Sequence, residues 1–206
     1  MALGVRLTLP RGAAWWCGVA ALLAVGALLA HGRLSDAIDW QPALAWTQPW
    51  RLWSAAWVHF SDLHLQANLA GALLVALLGI AADVPMRAAM AWLVAWPLTQ
   101  LGLLAQPALA HFGGLSGVLH AGVAVVAALL IIEGPRRRRW LGVALLAGLA
   151  IKLLTETPWG APVQQRDGLD VAVAPLSHVT GVVSGLVACT LLLGMQRLHP
   201  AAAAHE

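Results

Sequence analysis

Ser116 stands in Gly113-Gly114-Leu115-Ser116-Gly117, where the glycines permit a tight turn and close backbone approach. At the start of a helix, such a serine exposes its hydroxyl and its backbone N–H together, a nucleophile beside an oxyanion donor. The same small residues would also serve as a packing notch between helices. Further along, Ser177-His178-Val179-Thr180-Gly181-Val182-Val183-Ser184-Gly185 places His178 ahead of a G-x-x-x-G groove formed by Gly181 and Gly185. A groove of this kind lets a second helix approach closely. If that helix carries Ser116, His178 meets the hydroxyl, and a serine with a histidine base is the minimum for acyl transfer near neutral pH. No carboxylate is needed if packing and hydrogen bonds already orient the imidazole. His120 lies four residues after Ser116 on the same helical face and is the second choice of base.

Two further groups of polar residues lie among apolar ones. His64 and Asn68 are four apart, hence one turn apart on one face, and two stacked donors could hold a developing negative charge. Hydrogen bonding between membrane helices is the simpler use of such residues. Lys152 and Glu156 share the same spacing with opposite charge. A mutual ion pair that lowers the cost of both near a membrane is preferred to a role lining a substrate cavity.

The elements that carry these residues are dictated by composition. The 206 residues are 60% apolar and only 10% charged, with mean hydropathy +0.77. That leaves too few polar side chains to cover a water-facing surface. A soluble enzyme, a disordered chain and a collagenous chain are excluded, which leaves an integral membrane protein. Six apolar runs approach spanning length: 13–30, 63–82, 88–105, 116–132, 140–156 and 176–195. Helix is the reading for each, since no period-two alternation suggests a barrel. The expected fold is therefore an all-α, polytopic bundle of six transmembrane helices in a single domain, 1–206. The first run has no small-x-small cleavage site and reads as a retained helix, with Trp15 and Trp16 as interfacial anchors. Pro97 is expected to kink the third helix.

Basic residues orient the bundle. Arg6, Arg11, Arg87, the Arg136–Arg139 block and Arg197 fall on one side, against Arg33, Arg51 and Arg166 on the other. Both termini are expected in the cytoplasm, with 31–62, 106–115 and 157–175 outside. The Arg block reads as a cytoplasmic loop, so the net charge of +3 implies no nucleic-acid partner. Trp40, Trp46, Trp50, Trp53 and Trp57 crowd the first outer loop and suggest that it lies in the headgroup layer. Cys17 and Cys189 sit inside apolar runs, and no residue cluster supplies a metal site.

These clusters, in this order, resemble the rhomboid family of intramembrane serine proteases over about residues 48–190. Trp50-Arg51, the His59…His64-x-x-x-Asn68 pattern, Gly114-Leu115-Ser116-Gly117, and His178 with Gly181 and Gly185 each match a family motif. A narrower likeness is to the short bacterial rhombosortases. It rests on residues 114–120, Lys152-Leu153-Leu154-Thr155-Glu156, and Val171-Ala172-Val173. The resemblance implies a rhomboid-like six-helix bundle with Ser116 as nucleophile and His178 as general base. It implies an oxyanion hole made by the Ser116 N–H, His64 and Asn68, and no metal or organic cofactor. It also implies transmembrane substrates with a glycine-rich, Gly-Gly-containing carboxy-terminal anchor, cut at the outer face of a bacterial inner membrane. A general rhomboid with other transmembrane substrates is the alternative. A non-catalytic rhomboid-like binding protein would be expected to lack Ser116 or His178, and a transporter to carry inverted repeats.

Overall fold

A computed structural model of the chain describes residues 10–32, 35–165 and 170–198. Arg6, Arg33 and Arg166, used above for orientation, lie outside the described residues. Helix α1 (Arg11–Ala30) begins directly after Pro10, which cannot continue a helix backwards. The first loop contains two short α-helical turns, α2 (Ser35–Ile38) and α3 (Arg51–Ser54), and two 3-10 turns, Pro42–Leu44 and Ala55–Trp57. Helix α4 (Asp62–Ala82) is capped by Ser61, whose hydroxyl accepts the His64 N–H at 3.2 Å, and it ends at Asp83 in the left-handed conformation (φ 54°). Helix α5 (Met86–Leu101) follows Pro85, and the chain continues as a 3-10 turn over Gly102–Ala105. Helices α6 (Ser116–Glu133) and α7 (Arg136–Thr155) are joined only by Gly134-Pro135. A small antiparallel hairpin, β1 (Gln164–Gln165) with β2 (Ala172–Val173), then leads into α8 (Pro175–Leu198).

Helix α6 is the axis of the bundle, packed by α4, α5, α7 and α8. Its Val118, Ala121, Ala124, Val125, Val126 and Ala127 are wholly buried. The outside of the bundle is apolar too. Leu22, Val25 and Leu29 of α1 and Leu73, Leu74 and Leu77 of α4 are exposed, a surface that water would not tolerate and lipid tails would. The all-α polytopic membrane fold expected from composition is therefore the one observed. Five helices (Arg11–Ala30, Asp62–Ala82, Met86–Ala105, Ser116–Glu133 and Pro175–Gly194) are long and apolar enough to cross a bilayer. The sixth long helix, α7, incorporates the Arg136–Arg139 block as its first turn, and those charges lower its hydropathy.

The tryptophans divide differently from the expectation. Trp15 is exposed, but Trp16 is fully buried, donates its indole N–H to the Val75 carbonyl at 2.8 Å, and packs on Trp92 with ring centroids 4.4 Å apart. In the first loop, Trp46, Trp50 and Trp53 are exposed, as a headgroup location requires. Trp40 is wholly buried, and Trp57 is half-buried with its edge against Trp96. Residue type gave all five the same role, whereas the turns of the loop aim two of them inward. Pro97 sits inside α5, one turn before the helix tightens to 3-10.

The loop also grips the segment that leads to Ser116. Trp40 and Phe112 exchange both backbone hydrogen bonds, at 2.7 and 2.9 Å. Arg51, of the Trp50-Arg51 element, is buried and donates to the Asp39 carboxylate at 2.8 Å. The other Asp39 oxygen pairs with His111 Nδ1 at 2.6 Å. Gly114 donates its N–H to the Ala55 carbonyl at 3.0 Å. The loop thus anchors 111–114 at several points, and the start of α6 follows at once.

Candidate active site

Ser116 is the first residue of α6, so its backbone N–H belongs to the turn that has no acceptor within the helix. The positive end of the helix dipole coincides with that N–H. Gly114 arrives with φ 138°, a conformation that side-chain-bearing residues rarely adopt, and a Cβ there would lie 2.9 Å from the His64 ring. Glycine is therefore what allows the turn and lets His64 sit against the backbone leading to the serine.

His178 lies in the first turns of α8 and faces α6. Its Nε2 is 2.8 Å from Ser116 Oγ. The approach is possible because no side chain separates the two helices. A Cβ on Gly181 would lie 2.0 Å from the Gly117 carbonyl oxygen, and one on Gly185 would lie 2.4 Å from the Ala121 carbonyl oxygen. On the other side, a Cβ on Gly117 would meet the Ser177 carbonyl oxygen at 2.7 Å. Backbone rests on backbone along this seam, one turn from the serine.

His120 is placed differently. Its Nδ1 donates to the Ser116 carbonyl at 2.6 Å, not to the hydroxyl. Its ring stacks on His178 with centroids 4.2 Å apart and planes 15° apart. Of the two candidate bases, His178 is the one drawn to Oγ, and His120 supports its face.

A cavity of about 430 Å³ opens in front of the serine, and Ser116, His64, Asn68, Lys152, Glu156 and His178 all line it. Asn68 is buried and His64 half-buried, both on the α4 face turned toward Gly114. His59, just before α4, packs edge-on against His64 with centroids 4.9 Å apart. Burial, with His64 beside it, pushes His59 down to about 4, so it stays neutral beneath the site at physiological pH. The hairpin strand β2 forms another wall through Ala172 and Val173.

A nucleophilic hydroxyl, an imidazole in contact with it, and donors across a shared cavity form the constellation expected of an acyl-transfer site. The rhomboid domain model matches residues 47–195, most of the chain. The chain belongs to the rhomboid family. Rhomboids are intramembrane serine proteases that act on transmembrane substrates within the bilayer. No curated protein matches this rhomboid.

One contact in the rhomboid's cavity was not anticipated from sequence. Glu156 forms the expected ion pair with Lys152, and both residues also line the cavity. The other Glu156 oxygen is 2.5 Å from His178 Nδ1. The imidazole, for which the sequence required no carboxylate, is thus bonded to one. The i, i+4 spacing identified a partner for Glu156 but gave no sign of this second one.

Proposed function

We propose that this rhomboid is an intramembrane serine endopeptidase in which Ser116 is the nucleophile and His178 the general base. The observation that carries the reading is the 2.8 Å separation of Ser116 Oγ and His178 Nε2 across the glycine seam. His178 takes the hydroxyl proton as Oγ attacks a substrate carbonyl carbon. The resulting oxyanion is held by the Ser116 N–H with His64 and Asn68, donors that act on charge present only in the transition state. The protonated imidazole then gives its proton to the departing amine. Water entering from the outer side hydrolyses the acyl-enzyme. No metal or organic cofactor takes part.

The proposed substrates are membrane proteins with a glycine-rich, Gly-Gly-containing carboxy-terminal anchor. All three segments that resemble the rhombosortase branch, 114–120 through Ser116, Lys152–Glu156 and Val171–Val173, contribute to the cavity wall, and this placement supports the choice. The proposed setting is a bacterial inner membrane, with a single domain, both termini cytoplasmic and the cavity opening outward. The test is to incubate purified protein with anchors that carry Gly-Gly or Ala-Ala and to map the products by mass spectrometry, with Ser116→Ala as control. Cleavage confined to the Gly-Gly anchor is expected. Equal cleavage of both would make the protein a general rhomboid, and no cleavage of any transmembrane substrate would count against protease activity itself.

Asn68→Ala is expected to lower kcat by about 10² to 10³, the usual cost of one oxyanion donor, with KM little changed. His64→Ala should behave similarly, softened where the remaining donors share the load. Steady-state kinetics decide this. A weakened KM with unchanged kcat would make both residues substrate-positioning groups.

A further inference from the structure

We infer that Glu156 is a positioning residue for the reaction: its carboxylate orients the His178 imidazole and stabilises the charge that ring acquires during proton transfer. The inference rests on the serine–histidine reading above and adds to it a third group, carried by a different helix end.

Glu156 caps the carboxy-terminal end of α7, with its N–H bonded to the Lys152 carbonyl at 3.1 Å. It is 5% exposed although it carries a charge. Its backbone carbonyl accepts the Gln164 side-chain amide at 3.1 Å, which fastens this corner to β1. From there the two carboxylate oxygens divide their work. Oε1 accepts from Lys152, and Oε2 accepts from His178 Nδ1 at 2.5 Å.

The chemistry of that contact is decided by proton count. An ionised carboxylate only accepts hydrogen bonds, so Nδ1 carries the ring proton. The Nε2 lone pair is then directed at the Ser116 hydroxyl, the tautomer a general base requires. In the reaction, the Oγ–H proton passes to Nε2 as the Oγ–C bond forms, and the carbonyl π pair moves onto oxygen. His178 becomes an imidazolium with Glu156 as its counter-ion, and Glu156 is never protonated. When the C–N bond breaks, Nε2 returns its proton to the amine and the original tautomer is restored. The ring is held on three sides, by Glu156, by Ser116 and by the stacked His120.

The competing role for Glu156 is as the partner of Lys152 alone. Lys152 points partly into the open cavity, its side chain 46% exposed, whereas the Glu156 carboxylate is almost wholly enclosed. Paired glutamine and methionine variants separate the two roles. Glu156→Gln keeps the shape but removes the counter-ion, and is expected to cut kcat by about 10² to 10⁴, with KM and detergent melting temperature close to wild type. Labelling of Ser116 by a fluorophosphonate should slow in parallel. The acid limb of the pH–rate profile should move to lower pH, because the imidazolium loses its stabilising charge. The other titratable groups facing that ring (His120 on α6, His64 on α4 and Lys152 on α7) are unchanged in the variant. Glu156→Asp should recover part of the rate by restoring the charge. Lys152→Met should lose far less than Glu156→Gln. A wild-type kcat in Glu156→Gln, or equal losses of rate and melting temperature in the two variants, would overturn the inference. Those results would leave the serine–histidine reading intact, because Ser116→Ala tests that reading by itself.

Discussion

Ser116→Ala is expected to abolish cleavage and leave the fold almost untouched. The lost hydroxyl faces the cavity, and its bond to His178 Nε2 is a single hydrogen bond, worth about 1 kcal/mol net. His178→Ala should be as damaging. The double variant should be little worse than either, because residues that act as one unit are grossly non-additive. His120→Ala should retain substantial activity, since His120 donates to the Ser116 backbone carbonyl and stacks on the other ring. Cleavage rates with a transmembrane substrate, beside melting temperatures in detergent, check the whole set. Wild-type turnover by Ser116→Ala would sink the proposed mechanism. An essential His120 with a dispensable His178 would move the base to α6.

The other large effect belongs to a residue with no side chain. Gly181→Val places branched carbon where even a Cβ would lie 2.0 Å from the Gly117 carbonyl oxygen. That oxygen belongs to backbone in the middle of a helical turn and cannot swing aside, so α8 must move away from α6. A displacement of about 1 Å at reacting groups can cost about a hundredfold in rate. Overpacking of this kind typically destabilises by about 1 to 3 kcal/mol. Activity and melting temperature should therefore fall together, unlike Ser116→Ala, where activity falls alone. Gly185→Ala also meets backbone, at 2.4 Å from the Ala121 oxygen, but one turn further from Ser116. Its effect on rate should be the milder of the two. Wild-type values for Gly181→Val in both measurements would remove the basis for the close Ser116–His178 approach.

The features readable from sequence were those with a short period or a single physical cause. The apolar runs marked the long helices because lipid admits little else, and the G-x-x-x-G spacing marked the α8 face that meets α6. The start of α6 was legible in the glycines before Ser116. Contacts that depend on where a long loop turns were not legible. Trp40 and Trp46 are the same residue type in the same loop, yet one is wholly buried and the other lies open. Glu156 shows a different limit. Its i, i+4 partner appeared to satisfy it, but a carboxylate has two oxygens, and the second meets a residue 22 positions away. Arg136–Arg139 looked like loop because of their charge. In the fold they are helical, since long basic side chains can extend to water from the end of an apolar helix.

Trp16 ties the amino-terminal helix to the rest of the molecule in a way that bears on shortened chains. The family match begins at residue 47, beyond the end of α1. Even so, the Trp16 indole fills the notch left by Gly79, where a Cβ would lie 2.2 Å from the ring, and rests on Trp92. Trp92 in turn donates to the Val118 carbonyl at 2.7 Å, within the helix that begins at Ser116. Trimming the chain to its family match would leave every residue of the site in place and remove both the wedge behind it and the Asp39 and Trp40 contacts that hold 111–114. Such a truncate should bind detergent as a helical protein yet turn over poorly, an enzyme disabled through its scaffold with its chemistry intact.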